Sequence, residues 1–456
     1  MEKIKNDDLI RGMCWGLSIF FLAAAVGTAV YGGDWEQVYK GFVRIIGSPS
    51  ALITDYFKVG GLSATLFNAG LCTFACCCIV RILKCRLSSS FFASYILLLA
   101  HCFYGMNLLN IWPCFIGVAL YYHHIKKNIR DYIHIAIFSM AFAPLISELL
   151  FRYPLGDKFV AGEIQITAAG IILAGVFGLM AGFVLPGMLE GASRMHKGYN
   201  LYNGGLAFGL VGGFIYAFLY KTMGLTSEGP VELVNPLYDG TGDQYIIFWN
   251  VMFGIILIST FIAGYILNGR QLKNYDRLLS ETGHRTNYAQ TYGMPLCMIN
   301  FGLYGLMILL YMDAVFLLTD GVAFTGPTVG AMFAALTFAV IGQHPKNTWS
   351  IFGGYVFLYI IVAVVCALQG RPVPWTLSTQ GYINGVAFAT GLAPIAGRYG
   401  WKAGIAAGAV SAALCTSTGA FHGGFMIFNG GFTAGITALI MVSVLEHHYP
   451  HMEVNI

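Results

Sequence analysis

Charge is what this sequence has least of. Only 10% of its 456 residues are Asp, Glu, Lys or Arg, where a soluble domain carries roughly 25%. Because 57% of the residues are apolar, the chain cannot cover itself with polar surface, and its solvent is mostly lipid. The net charge of +4 is small and spread along the chain, which gives no reason to expect nucleic acid as a partner. A phosphate-binding glycine loop, a His-Glu-x-x-His zinc pattern and a serine nucleophile elbow are all missing. The chain therefore does not read as an ATP-driven pump, a membrane hydrolase or any other enzyme. The 11 cysteines show no zinc-type spacing, and Cys72, Cys76, Cys77 and Cys78 lie inside an apolar run. They read as packing residues, so no disulfide scaffold, metal or cofactor is expected.

What the sequence does have is one pattern twice. His196 to Gly209 reads H-K-G-Y-N-L-Y-N-G-G-L-A-F-G, and His422 to Gly435 reads H-G-G-F-M-I-F-N-G-G-F-T-A-G, an offset of 226 residues. Three further matches keep the same order. Tyr56, Gly61, Asn68 and Gly70 meet Tyr288, Gly293, Asn300 and Gly302 at an offset of 232. Gly105, Asn110 and Trp112 meet Gly342, Asn347 and Trp349 at 237, and Phe138, Ala143 and Pro144 meet Phe388, Ala393 and Pro394 at 250. Offsets that drift only through loops point to duplication, with one copy in residues 1–232 and the other in 233–456.

Apolar runs near 14–32, 59–80, 90–106, 110–124, 132–151, 164–187 and 204–221 fill the first half. Runs near 245–267, 291–312, 326–342, 347–368, 374–396, 401–418 and 424–445 fill the second. At 1.5 Å per residue most of these reach across a bilayer of about 30 Å, so an all-α polytopic membrane protein with about seven spans per copy is predicted. The polar connections Asp34 to Lys58 and Gly269 to Gln290 are candidate interfacial or re-entrant segments. An odd number of spans turns the second copy over, and charge agrees. The loop after the second span carries Arg81, Lys84 and Arg86, while its counterpart carries Asp313 and Asp320. Most Lys and Arg fall on one side when both termini are cytoplasmic, and the acidic link Glu228, Glu232, Asp239 and Asp243 falls outside. The expected architecture is two inverted-topology repeats with broken or re-entrant helices, multi-pass in the plasma membrane.

Several polar residues in these apolar runs are candidate pore or binding groups, each with a structural reading beside it. Asn203-Gly204-Gly205 and Asn429-Gly430-Gly431 fit a broken helix whose free backbone groups and amides face a solute; they fit a capped, tightly packed helix contact equally well. Asn68 and Asn300 must face the protein interior, either lining a pore or bonding between helices. Phe67, Phe301, Tyr202 and Phe428 stand next to these amides in sequence and are the expected aromatic screen. Glu148, beside Arg152, is a candidate for proton or ion coupling or an interface charge. His196 and His422 match across the halves and are coupling candidates or histidines bonded to backbone. His344 and Lys346 belong to a turn in the second half, where they meet an anionic solute or simply carry cytoplasmic charge.

The two-copy layout, the Asn-containing segments Leu66 to Gly70 and Ile299 to Gly302, and the Tyr/Phe-Asn-Gly elements resemble the urea transporter superfamily. The chain as a whole resembles an uncharacterised bacterial family of multi-pass membrane proteins. Where the urea transporters carry Asn-Pro, this chain has Asn68-Ala69 and Asn300-Phe301. The superfamily resemblance implies inverted halves around a narrow central pore, a pore role for the four asparagines, and trimeric association; a homo-oligomer, trimer or dimer, is expected. A channel or facilitator for a small polar solute is the first functional expectation. An H⁺- or Na⁺-coupled carrier of a small solute, neutral or anionic, is the second. A flavin-bearing electron-transfer subunit is the third, with Leu62-Ser63-Ala64-Thr65 and Phe324-Thr325-Gly326-Pro327-Thr328 approximating the flavin-attachment pattern of such subunits.

Overall fold

The computed structural model describes residues 5–32, 35–225 and 245–449. The acidic link Glu228, Glu232, Asp239 and Asp243, and the boundary at 232/233, lie outside the described residues. In chain order the principal helices are α1 (Asn6–Gly32), α2 (Trp35–Gly47), α3 (Leu62–Ile82), α4 (Ser89–His101), α5 (Trp112–His124), α6 (Ile133–Arg152), α7 (Ala168–Met195) and α8 (Asn203–Thr222). They continue as α9 (Ile246–Leu267), α10 (Met294–Leu318), α11 (Gly326–Ala335), α12 (Pro345–Leu368), α13 (Gln380–Ala389), α14 (Ala393–Tyr399), α15 (Trp401–Leu414) and α16 (Asn429–His448).

Among the described residues, 9 helices are long and apolar enough to cross a membrane, which makes the chain an all-α polytopic membrane protein. That is fewer than the apolar runs suggest, because five runs contain helices that stop early. The run at 90–106 becomes the 13-residue α4, which gives way to turns around Gly105, where φ is +99°. The run at 326–342 yields only the 10-residue α11, and the run at 374–396 divides into α13 and α14 around a 3₁₀ turn at Thr390–Leu392. α5 and α15 are likewise short, at 13 and 14 residues. Hydropathy registers burial in apolar surroundings; it does not register where the backbone leaves the helix.

The burial pattern explains how lipid and protein divide these helices. On α9, Ile247, Val251, Ile255, Ile258, Ile262 and Ile266 are exposed at three- and four-residue spacing, so one apolar stripe faces outward. Every residue of the short helix α11, and every residue of α4 but Ser90, is buried, and the two helices pack against each other in the interior. Each begins with a hydroxyl cap that satisfies a backbone N–H in an apolar setting: Ser88 accepts from Phe91 N at 3.2 Å and Thr325 from Thr328 N at 3.1 Å. The helices pack in matching pairs, α1 on α3 and α9 on α10, then the short α5 on α7 and the short α15 on α12. α8 crosses α16, and a Cβ at Gly205 would run into the Gly431 backbone, so only glycine permits this approach. The connection from 34 to 58 contains α2 and a short helix at Tyr56–Gly60, whereas that from 269 to 290 contains the four-residue helix Tyr275–Leu278 and the start of another at Tyr288–Thr291.

Candidate functional site

Two cavities adjoin the crossing of α8 and α16. The larger, about 840 Å³, is lined by the chain from Leu189 to Gly205 at the junction of α7 and α8, by His134, Ile135 and Phe138 of α6, by His284, Arg285 and Thr286, and by Arg398, Phe428 and Glu446. The smaller, about 240 Å³, is lined by Leu52 and Ile53, by Asn384, Gly385 and Phe388 of α13, by Cys415 to Gly419, and by Ile427, Asn429 and Gly430 at the start of α16.

The repeat offsets relate the two linings. Leu52 and Ile53 stand 232 residues before His284 and Arg285. Asn384, Gly385 and Phe388 stand 250 after His134, Ile135 and Phe138. Cys415, Gly419, Ile427, Asn429 and Gly430 stand 226 after Leu189, Ser193, Leu201, Asn203 and Gly204. Chemically the linings differ. The larger collects Arg194, Lys197, Arg285 and Arg398 against Glu446, while the smaller has no charged residue among its lining. Lys197 pairs with Glu446 at 2.6 Å, Arg194 with Glu190 at 2.7 Å, and the Arg398 guanidinium lies over the Tyr199 ring at 5.9 Å. Tyr199 also stacks on His284 at 4.3 Å, and burial lowers the His284 pKa below the usual histidine range.

Aromatic rings separate the cavities. Phe428, on the larger cavity, meets His101 at 4.9 Å, and His101 meets Phe388, on the smaller, at 5.8 Å. Tyr202 closes the group against Phe388 at 5.1 Å and Phe338 at 4.8 Å.

The predicted residues divide between this region and the scaffold. Asn203, Gly204, Gly205, Tyr202 and Phe428 line the larger cavity, and Asn429 and Gly430 the smaller; Gly431 packs at the helix crossing. Asn68 and Asn300 line neither. The Asn68 amide donates to Cys102 O at 2.8 Å and Met106 O at 2.9 Å, and the Asn300 amide to Ala339 O and Gln343 O, both at 2.8 Å. Those carbonyls lie just beyond the last turns of α4 and α11, so each amide ties down the end of an interrupted helix. Phe67 and Phe301 pack on Phe42 and Phe92, away from both cavities.

Of the coupling candidates, Glu148 is fully buried and accepts from Arg152 Nε at 2.8 Å and from the Tyr220 hydroxyl at 2.5 Å, joining π-helical turns at the ends of α6 and α8. His422 Nε2 lies 3.0 Å from Asn429 Oδ1, so it touches the smaller cavity's lining. His196 is buried with neither ring nitrogen hydrogen-bonded, and burial brings its pKa down to about 4. His344 caps α12 by accepting from Asn347 N at 3.2 Å and reaches Glu281 O through Nε2 at 2.9 Å, while Lys346 is exposed. The Thr325 and Thr328 hydroxyls are spent on each other and on Gln380.

Sequence reasoning passed over His101, His134, Asn384, Arg285 and Arg194 as site residues. A search for recurring polar residues misses His101 because Phe338 stands at the matching place, 237 residues on. The basic lining comes from separate loops and reads, loop by loop, as ordinary interfacial charge. Among the described residues no group of His, Cys, Asp or Glu has the arrangement of a metal site. No curated protein and no solved structure matches the chain. The family described as "Protein of unknown function (DUF1576)" matches residues 35–221 and 267–447. With most of its length matched, the chain belongs to the DUF1576 family of multi-pass membrane proteins.

Proposed function

We propose that this chain carries a small polar solute across the plasma membrane, between two cavities that open to opposite faces. The observation that carries the reading is the correspondence of the cavity linings, stretch by stretch, at the repeat offsets. A duplicated unit inserted in two orientations places equivalent residues at equivalent depths on opposite sides, which is how inverted-repeat transporters build a path around a central site. On this reading residues 1–232 and 233–456 are inverted copies of about seven crossings each, several of them interrupted. Orientation is supported by Asn6, at the start of α1. Its side chain bonds Ala289 O at 2.8 Å and Met294 N at 3.0 Å, so α10 starts on the face where α1 starts. α3, the counterpart of α10, follows α1 and so starts on the other face. The basic lining of the larger cavity favours the cytoplasmic side for it, with both chain ends there.

A facilitator of urea-transporter type is the first form of the proposal, since the smaller cavity is uncharged and the partition is aromatic. The four basic residues of the larger cavity favour a second form, a coupled carrier of an anionic solute. Either form is compatible with a homo-oligomer, as in the urea transporters. Stopped-flow light scattering on proteoliposomes, challenged with urea, formamide, glycerol and ammonium salts, tests the proposal. Saturable re-swelling above empty vesicles with a neutral solute supports the facilitator. Flux of an anion that appears only under a pH or sodium gradient supports the carrier, and no flux under any of these conditions sinks both.

A further inference from the structure

His101 is fully buried in the aromatic partition, with its ring against Phe428 on one side and Phe388 on the other. Its Nδ1 lies 2.6 Å from the carbonyl of Leu97. A carbonyl only accepts, so Nδ1 carries the proton and a neutral ring presents Nε2 as a bare acceptor. Nε2 is buried and has no hydrogen-bond partner. Tyr104 packs on the same ring at 5.0 Å, and its buried hydroxyl makes no hydrogen bond within 3.5 Å, although the Asn384 side chain of the smaller cavity is near enough to interact with it. An unpaired acceptor and an unpaired donor in apolar surroundings are costly unless something uses them.

The other half shows the same position with phenylalanine in place of the histidine. Leu97 and His101 correspond at the 237 offset to Ala334 and Phe338, and Phe428 corresponds at 226 to Tyr202. There the ring pair is Tyr202 with Phe338, at 4.8 Å against 4.9 Å for Phe428 with His101. The Ala334 carbonyl accepts from the Tyr202 hydroxyl, on the partner ring, as well as from Thr337 N at 3.0 Å. The same structural task, occupying a carbonyl at this depth, is thus done by Tyr202 in one half and by His101 Nδ1 in the other. Only the histidine solution leaves a second nitrogen free.

We infer that His101 Nε2 and the Tyr104 hydroxyl form the hydrogen-bonding station at which the solute crosses the partition, and that this solute is uncharged and offers both an N–H or O–H donor and an acceptor. An anion without an O–H or N–H, such as formate, has no donor for Nε2 and can use only the Tyr104 hydroxyl, so the basic residues of the larger cavity attract but do not select. The inference rests on the transport reading above. It is tested by flux per folded protein in proteoliposomes, with urea and formamide as probes and formate as the anion, for wild type, His101→Phe, Tyr104→Phe and the double variant His101→Phe/Phe428→Tyr. The double variant copies the second half: the new tyrosine takes the Leu97 carbonyl, as Tyr202 takes that of Ala334, and leaves no free acceptor. Flux of the neutral probes is expected to fall about tenfold in His101→Phe, the effect of one lost hydrogen bond to the solute, and to stay low in the double variant although its thermal stability returns. Tyr104→Phe is expected to lower flux without lowering stability. Flux that recovers together with stability in the double variant overturns the inference and leaves His101 a packing residue. Formate flux exceeding that of both neutral probes in the wild type overturns it as well. A wild type that passes none of the probes overturns the transport reading itself, and this inference with it.

Discussion

Replacing Asn68 and Asn300 with leucine, singly and together, separates a scaffold role from a pore role for the two amides. Each side chain is fully buried and donates twice, to carbonyls just past the end of α4 or α11. Leucine keeps the branched shape, at somewhat larger volume, and removes both bonds. Hydrogen bonds between membrane helices average about 0.6 kcal/mol and reach about 1.7, while a buried carbonyl left without a donor costs about 1–3 kcal/mol. Two such bonds per site give an expected loss of about 2 kcal/mol for each variant, roughly a thirtyfold shift in the folding equilibrium. The losses at the two sites should be similar, because each amide donates to two backbone carbonyls, with Asn300 losing the Tyr275 hydroxyl at 3.3 Å in addition, and they should add in the double variant, because the sites share no partner. The assay is unfolding in mixed micelles titrated with SDS, followed by solute flux corrected for the folded fraction. Corrected flux is expected to stay within about twofold of wild type, since neither residue lines a cavity. Unchanged stability with flux lost would refute the reasoning and put the amides in the path of the solute.

Two further expectations concern Asp55 and the orientation of the cavities. Asp55 Oδ1 accepts from Phe57 N at 2.9 Å and Gly326 N at 3.1 Å, while its Oδ2 is buried without a partner; burial, only partly offset by those N–H groups and by Lys58, raises its pKa from 3.8 to about 6. A carboxyl whose folded pKa is raised lends stability that is fully present below its unfolded pKa and lost as pH climbs through about 6. Asp55→Asn, which installs what Asn287 supplies at the 232 offset, should therefore gain melting temperature relative to wild type between pH 4 and 8; a difference that does not change with pH removes this account. Ser193→Cys in the larger cavity and Gly419→Cys in the smaller occupy matching positions, and every native cysteine but Cys78 is buried. A membrane-impermeant maleimide should label them from opposite sides of oriented vesicles, whereas labelling from one side contradicts the inverted arrangement.

How far the sequence reached follows from what hydropathy and repetition measure. The long spans were legible because a lipid-facing helix must be apolar for its full length, as the exposed isoleucine stripe of α9 is. The interruptions after α4 and α11 were not, because buried turns are as apolar as buried helices, and the devices that stabilise them are distant in sequence. Asn68 serves carbonyls 34 and 38 residues away, and Asn300 serves carbonyls 39 and 43 residues away. The Asn-Gly-Gly elements were found as a motif, and the structure places both at cavity walls. Their partners across the cavities, His284 with Arg285 and Leu52 with Ile53, come from connections that the sequence marked only as polar.

The sequence matches between the two halves also sort the polar residues by the work they do. Asn110 and Asn347 each donate to a glycine carbonyl five residues back at 2.9 Å, and each accepts from the backbone N–H three residues back. With Asn68 and Asn300, these recurring amides are consumed by the backbone. A broken helix needs the same repair whichever way it enters the bilayer, so both copies have to keep it. The two sides of a transport path face different compartments and have no such reason to match. It is at the cavities and their partition that the copies diverge: Ile53 against Arg285, Asn384 against His134, Gly419 against Ser193, Phe338 against His101. Outside the Asn-Gly-Gly elements, recurring polar residues therefore mark the scaffold, and on the proposed transport reading the positions that differ mark the groups that meet the solute.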